Sequence, residues 1–189
     1  MSVSTISNSY ATGAVSGRAN AYIGGLVGYS EGSITGSFAS GPVTDGGKSV
    51  VIGGLVGRND GTIDNSYSIG GVSGGVDAEV GGIAGYSDWA ISDSYAIGAV
   101  SGRSGSILGG LVGYGDGEAS YTDDFWDTTS SGITNLGQGV GNTANASGVT
   151  GLTTAQFQSG LPTGFNPTIW GEDPSINGGL PYLLALPPS

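Results

Sequence analysis

Apolar positions along the chain recur with a period of 28 or 29 residues. The string Gly24-Gly25-Leu26-Val27-Gly28 returns at Gly53 to Gly57, at Gly81 to Gly85 and at Gly109 to Gly113, with starts 29, 28 and 28 residues apart. A second string keeps the same register: Ile6 to Tyr10, Ile34 to Phe38, Ile63 to Tyr67 and Ile91 to Tyr95. Val15, Val43, Val72 and Val100 form a third column, and Ile23, Ile52, Val80 and Leu108 a fourth. Four columns holding one register are an internal repeat. Each period contains three short β-prone stretches, near Ile6 to Thr12, Ala14 to Ser16 and Tyr22 to Val27, separated by Gly, Ser, Asn and Asp. None carries a helical apolar period.

Units this short cannot bury a core alone and must stack. A period of about 28 residues at roughly 3.3 Å each gives a perimeter near ~90 Å, suited to one coil, and coils would stack at roughly 4.8 Å. The pattern therefore predicts an all-β fold, a parallel β-solenoid (β-helix) of about four 28-residue coils with an irregular C-terminal cap. The repeats would fill residues 1–127, and residues 128–189 would form a loop and a capping segment on the last coil. Stacking would make an aliphatic ladder of Leu26, Leu55, Ile83 and Leu111, an aromatic ladder of Tyr10, Phe38, Tyr67 and Tyr95, and a hydroxyl ladder of Ser9, Ser37, Ser66 and Ser94. Strict alternation puts Ile6, Asn8 and Tyr10 on one side, so either Asn8 lies inside with partners or a bend changes the parity. The extra residue of the second period falls between Val43 and Ile52, beside Asp45-Gly46-Gly47-Lys48, which reads as a loop. An antiparallel unit, as in a β-prism or propeller, is the competing architecture. It requires Asn-Gly-type hairpin turns inside each unit, and pairs that come close, such as Asp60-Gly61 and Asp116-Gly117, are few.

After Gly113 the pattern drifts, with Tyr121 to Phe125 in place of the Ile-to-Tyr string. Residues Thr128 to Thr150 hold few large apolar groups and read as a connecting loop. Thr153 and Gln156 form a capping box that opens two turns of helix, ended by Gly160. The apolar residues beyond it, Leu161, Phe165, Ile169, Trp170, Leu180, Tyr182, Leu183 and Leu184, are suited to covering the open edge of the last coil. Nothing in residues 2–9 blunts the opposite edge with charge, proline or a covering element. End-to-end self-association is expected there, with earlier coils of a longer parent chain as the natural cover.

Composition narrows the chemistry. Glycine supplies 40 of 189 residues while 37% are hydrophobic, and the fixed spacing of the apolar ones favours an ordered repeat over disorder. With 15 acidic and 4 basic residues the net charge is −11, too few cations to neutralise a phosphate backbone, which argues against nucleic-acid binding. Absence of Cys and His removes disulfides, thiolate zinc sites and the commonest general base. No apolar run reaches the roughly 18 residues of a membrane span, and no charged-then-apolar leader opens the sequence.

Three sets of residues are candidates for a site. Tyr29, Arg58, Tyr86 and Tyr114 occupy one column after the Gly-Leu-Val-Gly core, where aromatic rings and a planar cation could stack sugars or grip a protein ligand. Glu31, Asp60, Asp88 and Asp116 form a carboxylate column that either binds Ca²⁺ or makes acidic turns beside Gly32, Gly61 and Gly117. Asp116, Glu118, Asp123, Asp124 and Asp127 are the densest acidity, a candidate Ca²⁺ site or a glycosidase carboxylate pair. No other cofactor is expected.

The Gly-Leu-Val-Gly core resembles the GLUG repeat. The run from Phe125-Trp126-Asp127 through Gly151-Leu152-Thr153-Thr154-Ala155-Gln156 to Trp170 and Gly179-Leu180-Pro181-Tyr182-Leu183 resembles the segment that follows such repeats in large filamentous-haemagglutinin-like exoproteins. The resemblance implies a secreted or surface-displayed bacterial passenger, often an adhesin exported by a partner outer-membrane transporter. Similar repeats beside bacterial surface peptidases imply that the module itself carries no chemistry. The expected function is thus a non-catalytic structural or adhesive module, not an enzyme, whose partners are a host or neighbouring-cell surface glycan or protein. A carbohydrate-binding or carbohydrate-active solenoid is the alternative. An ice-binding solenoid would need a regular Thr-x-Thr face, which the sequence lacks.

Overall fold

In the computed structural model, which describes residues 4–188, the chain winds into an all-β parallel solenoid of about five turns. Residues 2 and 3 of the expected open edge, and the ends of the 1–127 and 128–189 spans, lie outside the described residues. A coil carries five short strands, which in the first are Thr5–Ser7, Tyr10–Ala11, Val15–Ser16, Tyr22–Gly24 and Val27–Ser30. Each strand pairs in parallel with its counterpart one turn on: Ile6 with Ile34, Tyr10 with Phe38, Val15 with Val43 and Ile23 with Ile52. The competing antiparallel unit is excluded by this pairing. The offset is 28 at Ser16–Thr44 and 29 at Tyr22–Val51, so the extra residue lies where the loop was expected.

Two corners set the course of every coil. At the first, Asn8, Gly36, Asn65, Asp93 and Asp123 all have φ between 46° and 56°; at the second, Asn20, Ser49, Asp77 and Gly105 have φ between 53° and 79°. The left-handed region is sterically open to Gly and tolerable for Asn and Asp, whose short polar side chains bond locally. The first corner settles the facing of the Ile-to-Tyr string, because it reverses the alternation between Ile6 and Tyr10. The isoleucines therefore point into the lumen and the aromatics point out of it.

Two cores result. The lumen holds Ile34, Ile63 and Ile91, Leu55, Ile83 and Leu111, and Val43, Val72 and Val100, nearly all sealed from solvent. The outward aromatics make a second core. Phe38 and Tyr67 stack at 4.8 Å between ring centroids and Tyr67 and Tyr95 at 5.1 Å, within 7° of parallel. The coil spacing places the rings at the separation offset stacking prefers. Between them runs the hydroxyl ladder. The amides of Ser9, Ser37 and Ser66 donate to the Oγ of Ser37, Ser66 and Ser94, and each Oγ of the last three donates to the carbonyl two residues earlier.

The Gly-Leu-Val-Gly strings form the tightest part of the fold. Gly24, Gly53, Gly81 and Gly109 lie against the strand that follows in their own coil, and Gly57, Gly85 and Gly113 against the Ile23-column strands of the coil before. A Cβ on Gly53 would overlap the Val56 carbonyl oxygen and the backbone of Ile83 and Ala84, and one on Gly57 would overlap the Ile23 amide nitrogen. Two sheets here pack backbone to backbone with only hydrogen atoms between them. Leu55 and Val56, between the glycines, turn into the lumen.

Two expectations for the C-terminal third are corrected. Residues 128–150 are not a connecting loop but carry the fifth turn. Ser131 accepts from the Val100 amide, Gln138 and Gly139 accept from Gly110 and Leu111, and Val149–Leu152 pairs with Asp124–Asp127. The string Gln138-Gly139-Val140-Gly141 thus stands as a degenerate fifth copy of the motif, its polar Gln hiding it. The tail, in turn, does not cover the last coil's edge but runs back along the side of the solenoid over the aromatic ladder. Its helix Thr154–Phe157 has the capping box expected from Thr153 and Gln156, although it makes one turn rather than two. Phe157, Phe165, Trp170 and Leu183 pack on Phe38, Tyr67, Tyr95 and Phe125. Trp170 donates to Asn65 at 3.0 Å, and Tyr95 donates to the Pro181 carbonyl at 2.5 Å. A fully outward aromatic column needs such a cover, since a bare one would leave a continuous apolar stripe in water.

Gly53→Ala should cost about 3 kcal/mol or more, at or beyond the top of the overpacking range, because backbone rather than a flexible side chain blocks the new methyl. Gly117→Ala meets nothing within 4 Å and should instead gain about 0.4–1 kcal/mol by restricting the unfolded chain. Chemical denaturation of both variants measures the contrast, and equal effects would refute the close-packed interface.

Candidate functional site

Tyr29, Arg58, Tyr86 and Tyr114 are brought together as one column of directly paired residues on the outer flank of the glycine-packed sheets. Arg58 lies between the two tyrosines that bracket it. Its guanidinium sits 4.3 Å from the Tyr86 ring centroid and 5.8 Å from that of Tyr22, and its Nε donates to Asp60 at 2.8 Å. Tyr86 and Tyr114 stack at 5.7 Å and 2° from parallel. The rings therefore turn faces toward each other along the solenoid axis and edges toward solvent. Ring faces that a sugar would stack on are largely consumed by neighbours.

The carboxylate column runs beside it and is wired to it. The Tyr29 hydroxyl donates to Glu31 and Asp60, both at 2.9 Å, and the Tyr86 hydroxyl donates to Asp116 at 2.5 Å. The Asp60 and Glu31 bonds push the Tyr29 phenol above its usual range, and the Tyr86 hydroxyl and Gly117 amide hold Asp116 below the usual carboxylate range. Phenols and a guanidinium thus hold three of these acids, Glu31, Asp60 and Asp116, at the turns.

The five acids considered for calcium, Asp116, Glu118, Asp123, Asp124 and Asp127, are not brought together. Among the described residues no three or more His, Cys, Asp or Glu side chains are placed to hold a metal ion. Asp116 and Glu118 lie in an exposed turn, and Asp123 occupies the left-handed corner on the outer surface. Asp124 and Asp127 are buried at 0% and 1% exposure, away from any cleft where two carboxyls could flank a glycosidic bond. Alternation along the strand and the corner before it separate residues that sequence proximity had grouped.

Asp124 has a structural part. It stands in the serine column, pairing its Oδ1 with the Ser94 amide at 3.0 Å and its Oδ2 with the Thr122 amide at 3.2 Å. Burial drives its pKa well above the ordinary value, those two amides pull it down, and nearby Asp93 and Asp123 add to the rise. Asp127 accepts from the Thr129 amide at 2.7 Å and from the Thr154 hydroxyl at 2.5 Å, tying the fifth turn to the capping helix.

Sequence reading passed over Trp89, which is 48% exposed. The signal was present in the repeat: the other coils carry Gly32, Gly61 and Gly117 at this column, and only the third carries a large ring.

With this geometry in place, comparison adds one finding. A family model of the GLUG motif matches residues 19–44, which run from the second corner of the first coil through the glycine strings to the valine column of the next. No curated protein and no solved structure matches the chain. Fold and motif together define a parallel β-solenoid carrying a GLUG motif, consistent with a structural repeat module.

Asp124 gives a pH test. Its folded pKa is raised above the unfolded value of about 3.9, so the folded state binds the extra proton and stability falls as pH rises from about 4 through the folded pKa. Asp124→Ser, which restores the residue of the other four coils, should flatten that decline. Denaturation midpoints of both proteins between acid and neutral pH measure it, and parallel curves would show that Asp124 does not titrate with folding.

Proposed function

We propose that the chain is a non-catalytic structural and adhesive module of a secreted or surface-displayed bacterial protein. The observation that carries this reading is where the repeated chemistry goes. The serine ladder, the aromatic ladder and the Tyr–Arg column meet the equivalent residue one turn away or the tail, and Glu31, Asp60 and Asp116 are bonded by the tyrosines and arginine of that column. Such a molecule offers rigidity and a repeated lateral surface, as expected of a display or spacer element. The two most buried carboxylates are engaged by backbone amides and a threonine hydroxyl, which suits them to folding rather than to proton transfer. The resemblance of the tail to the segment after GLUG repeats in filamentous-haemagglutinin-like exoproteins supports the adhesin context and the surface location. A host or neighbouring-cell glycan or protein is the proposed partner.

Beads coated with the chain should adhere to cell surfaces above albumin-coated beads, and the chain should release no reducing ends from a polysaccharide panel. Hydrolysis of any polysaccharide would replace this reading with an enzymatic one, and absence of adhesion would remove its adhesive half.

A further inference from the structure

The third coil breaks the glycine column with Trp89, and the glycines of the two preceding coils leave room beside it. A cleft of about 270 Å³ opens there, with Trp89 on one side and Gly32 and Gly61 on its floor. The backbone floor is set by the repeat. Gly61 lies against the Gly32 backbone so closely that a Cβ would overlap the Gly32 carbonyl oxygen. The backbone at Trp89 is held in register because its carbonyl accepts from the Ser87 hydroxyl at 3.2 Å, as the Gly61 carbonyl accepts from Asn59 at 2.7 Å.

The remaining walls are polar and of one kind. Glu31 and Asp60 line the cleft, and Thr62 donates to the Ser33 hydroxyl at 3.1 Å across its base. The structure gives the Glu31 carboxylate one side-chain bond, to Tyr29, while Asp60 is bonded by Tyr29 and Arg58. A carboxylate offers about four lone-pair positions, so both retain capacity to accept. An aromatic wall facing two acceptors and two hydroxyls calls for a ligand with one apolar face and a rim of donors. A pyranose has that shape: its C–H face covers an indole while its hydroxyls donate at the edge. The carboxylates repel uronic and sialic acids and favour neutral or amino sugars.

We infer that the Trp89 cleft is a carbohydrate subsite for a neutral or amino-sugar residue, with Glu31 and Asp60 as hydrogen-bond acceptors. This deepens the adhesive reading and rests on it, since it names the ligand class of the lateral surface. It also moves the sugar-binding aromatic from the Tyr–Arg column, whose ring faces are largely taken by neighbours, to Trp89, which unlike the exposed Tyr10, Tyr22 and Tyr29 lies against no other aromatic ring among the described residues.

The three tryptophans make the test direct. Trp126 and Trp170 are 0% and 1% exposed, so acrylamide quenching of the intact chain reports on Trp89. On an array of neutral, amino and acidic glycans the chain should bind neutral or amino structures. Titration with the glycan so found should shift Trp89 emission to the blue and shield it from acrylamide. Trp89→Gly, the residue the other coils carry, should lower affinity at least about tenfold with the melting temperature unchanged, and Trp89→Phe should retain part of the binding. Binding confined to acidic glycans, or unaltered in Trp89→Gly, would overturn the inference. Bead adhesion without any glycan on the array would overturn it too while leaving the adhesive reading intact; loss of both would remove both.

Discussion

The backbone-to-backbone contact at the glycines is the constraint from which the rest of the molecule follows. A sheet pair separated by hydrogen atoms alone tolerates no side chain at Gly53 or Gly57, so the Gly-x-x-x-Gly spacing of each string is a steric requirement. Between those glycines the chain must reverse, and Leu55 and Val56 are the residues left to face the lumen. Once one coil is folded this way, the next can pair with it only if its own glycines fall at the same height. The period is thereby locked to 28 residues, with the extra residue of the second period accommodated away from the interface, between Thr44 and Val51.

The left-handed corner divides the outer and inner chemistry in the same economical manner. A single residue, Asn65 for instance with φ of 46°, turns a strand whose isoleucine is inward into one whose tyrosine is outward. The cost is a second apolar surface that the solenoid cannot bury by itself. The tail supplies the cover, and it does so with aromatic residues that meet the ladder tilted or edge-on: Trp170 against Tyr67 and Tyr95, and Phe165 edge-on to Phe125 at 5.5 Å. Asn65 then serves twice, since the corner residue also accepts the Trp170 indole proton. A tail that bonds to the corner as well as to the ladder is held at a defined height along the stack.

Much of this was legible in the sequence, and what was not has a physical reason. Columns announce themselves because stacking places like above like, so the Ile, Val, aromatic, serine and Tyr–Arg columns could be read from spacing. The side of each column could not be read, because parity depends on the φ of Asn8 and its equivalents, and Asn is compatible with either reading until the backbone is known. The fifth turn was hidden by composition: Gln138-Gly139-Val140-Gly141 keeps the two residues that matter sterically, Gly141 and the lumen-facing Val140, and drops the leucine that made the earlier copies recognisable. The acidic cluster failed for the opposite reason. Five acids within twelve residues looked like a site because sequence proximity was taken for spatial proximity, whereas alternation buries Asp124 and leaves Asp123 on the surface.

A repeat of this kind also indicates where to look for function. Residues that match their column are explained by stacking, whatever their chemistry, because each lies against its own equivalents or is bonded by a neighbouring column, as Glu31, Asp60 and Asp116 are. Residues that break a column have no such account and must be explained individually. Asp124 breaks the serine column and is absorbed by two amides, and Trp126 breaks the small-residue column of Ala39, Ser68 and Ala96 and fills the lumen of the last turn. Trp89 breaks the glycine column too, yet it is left half in water beside two carboxylates, where burial offers it nothing. The same reasoning that assigns the Tyr–Arg column to architecture therefore assigns Trp89 to recognition, and it does so without appeal to the identity of the ligand.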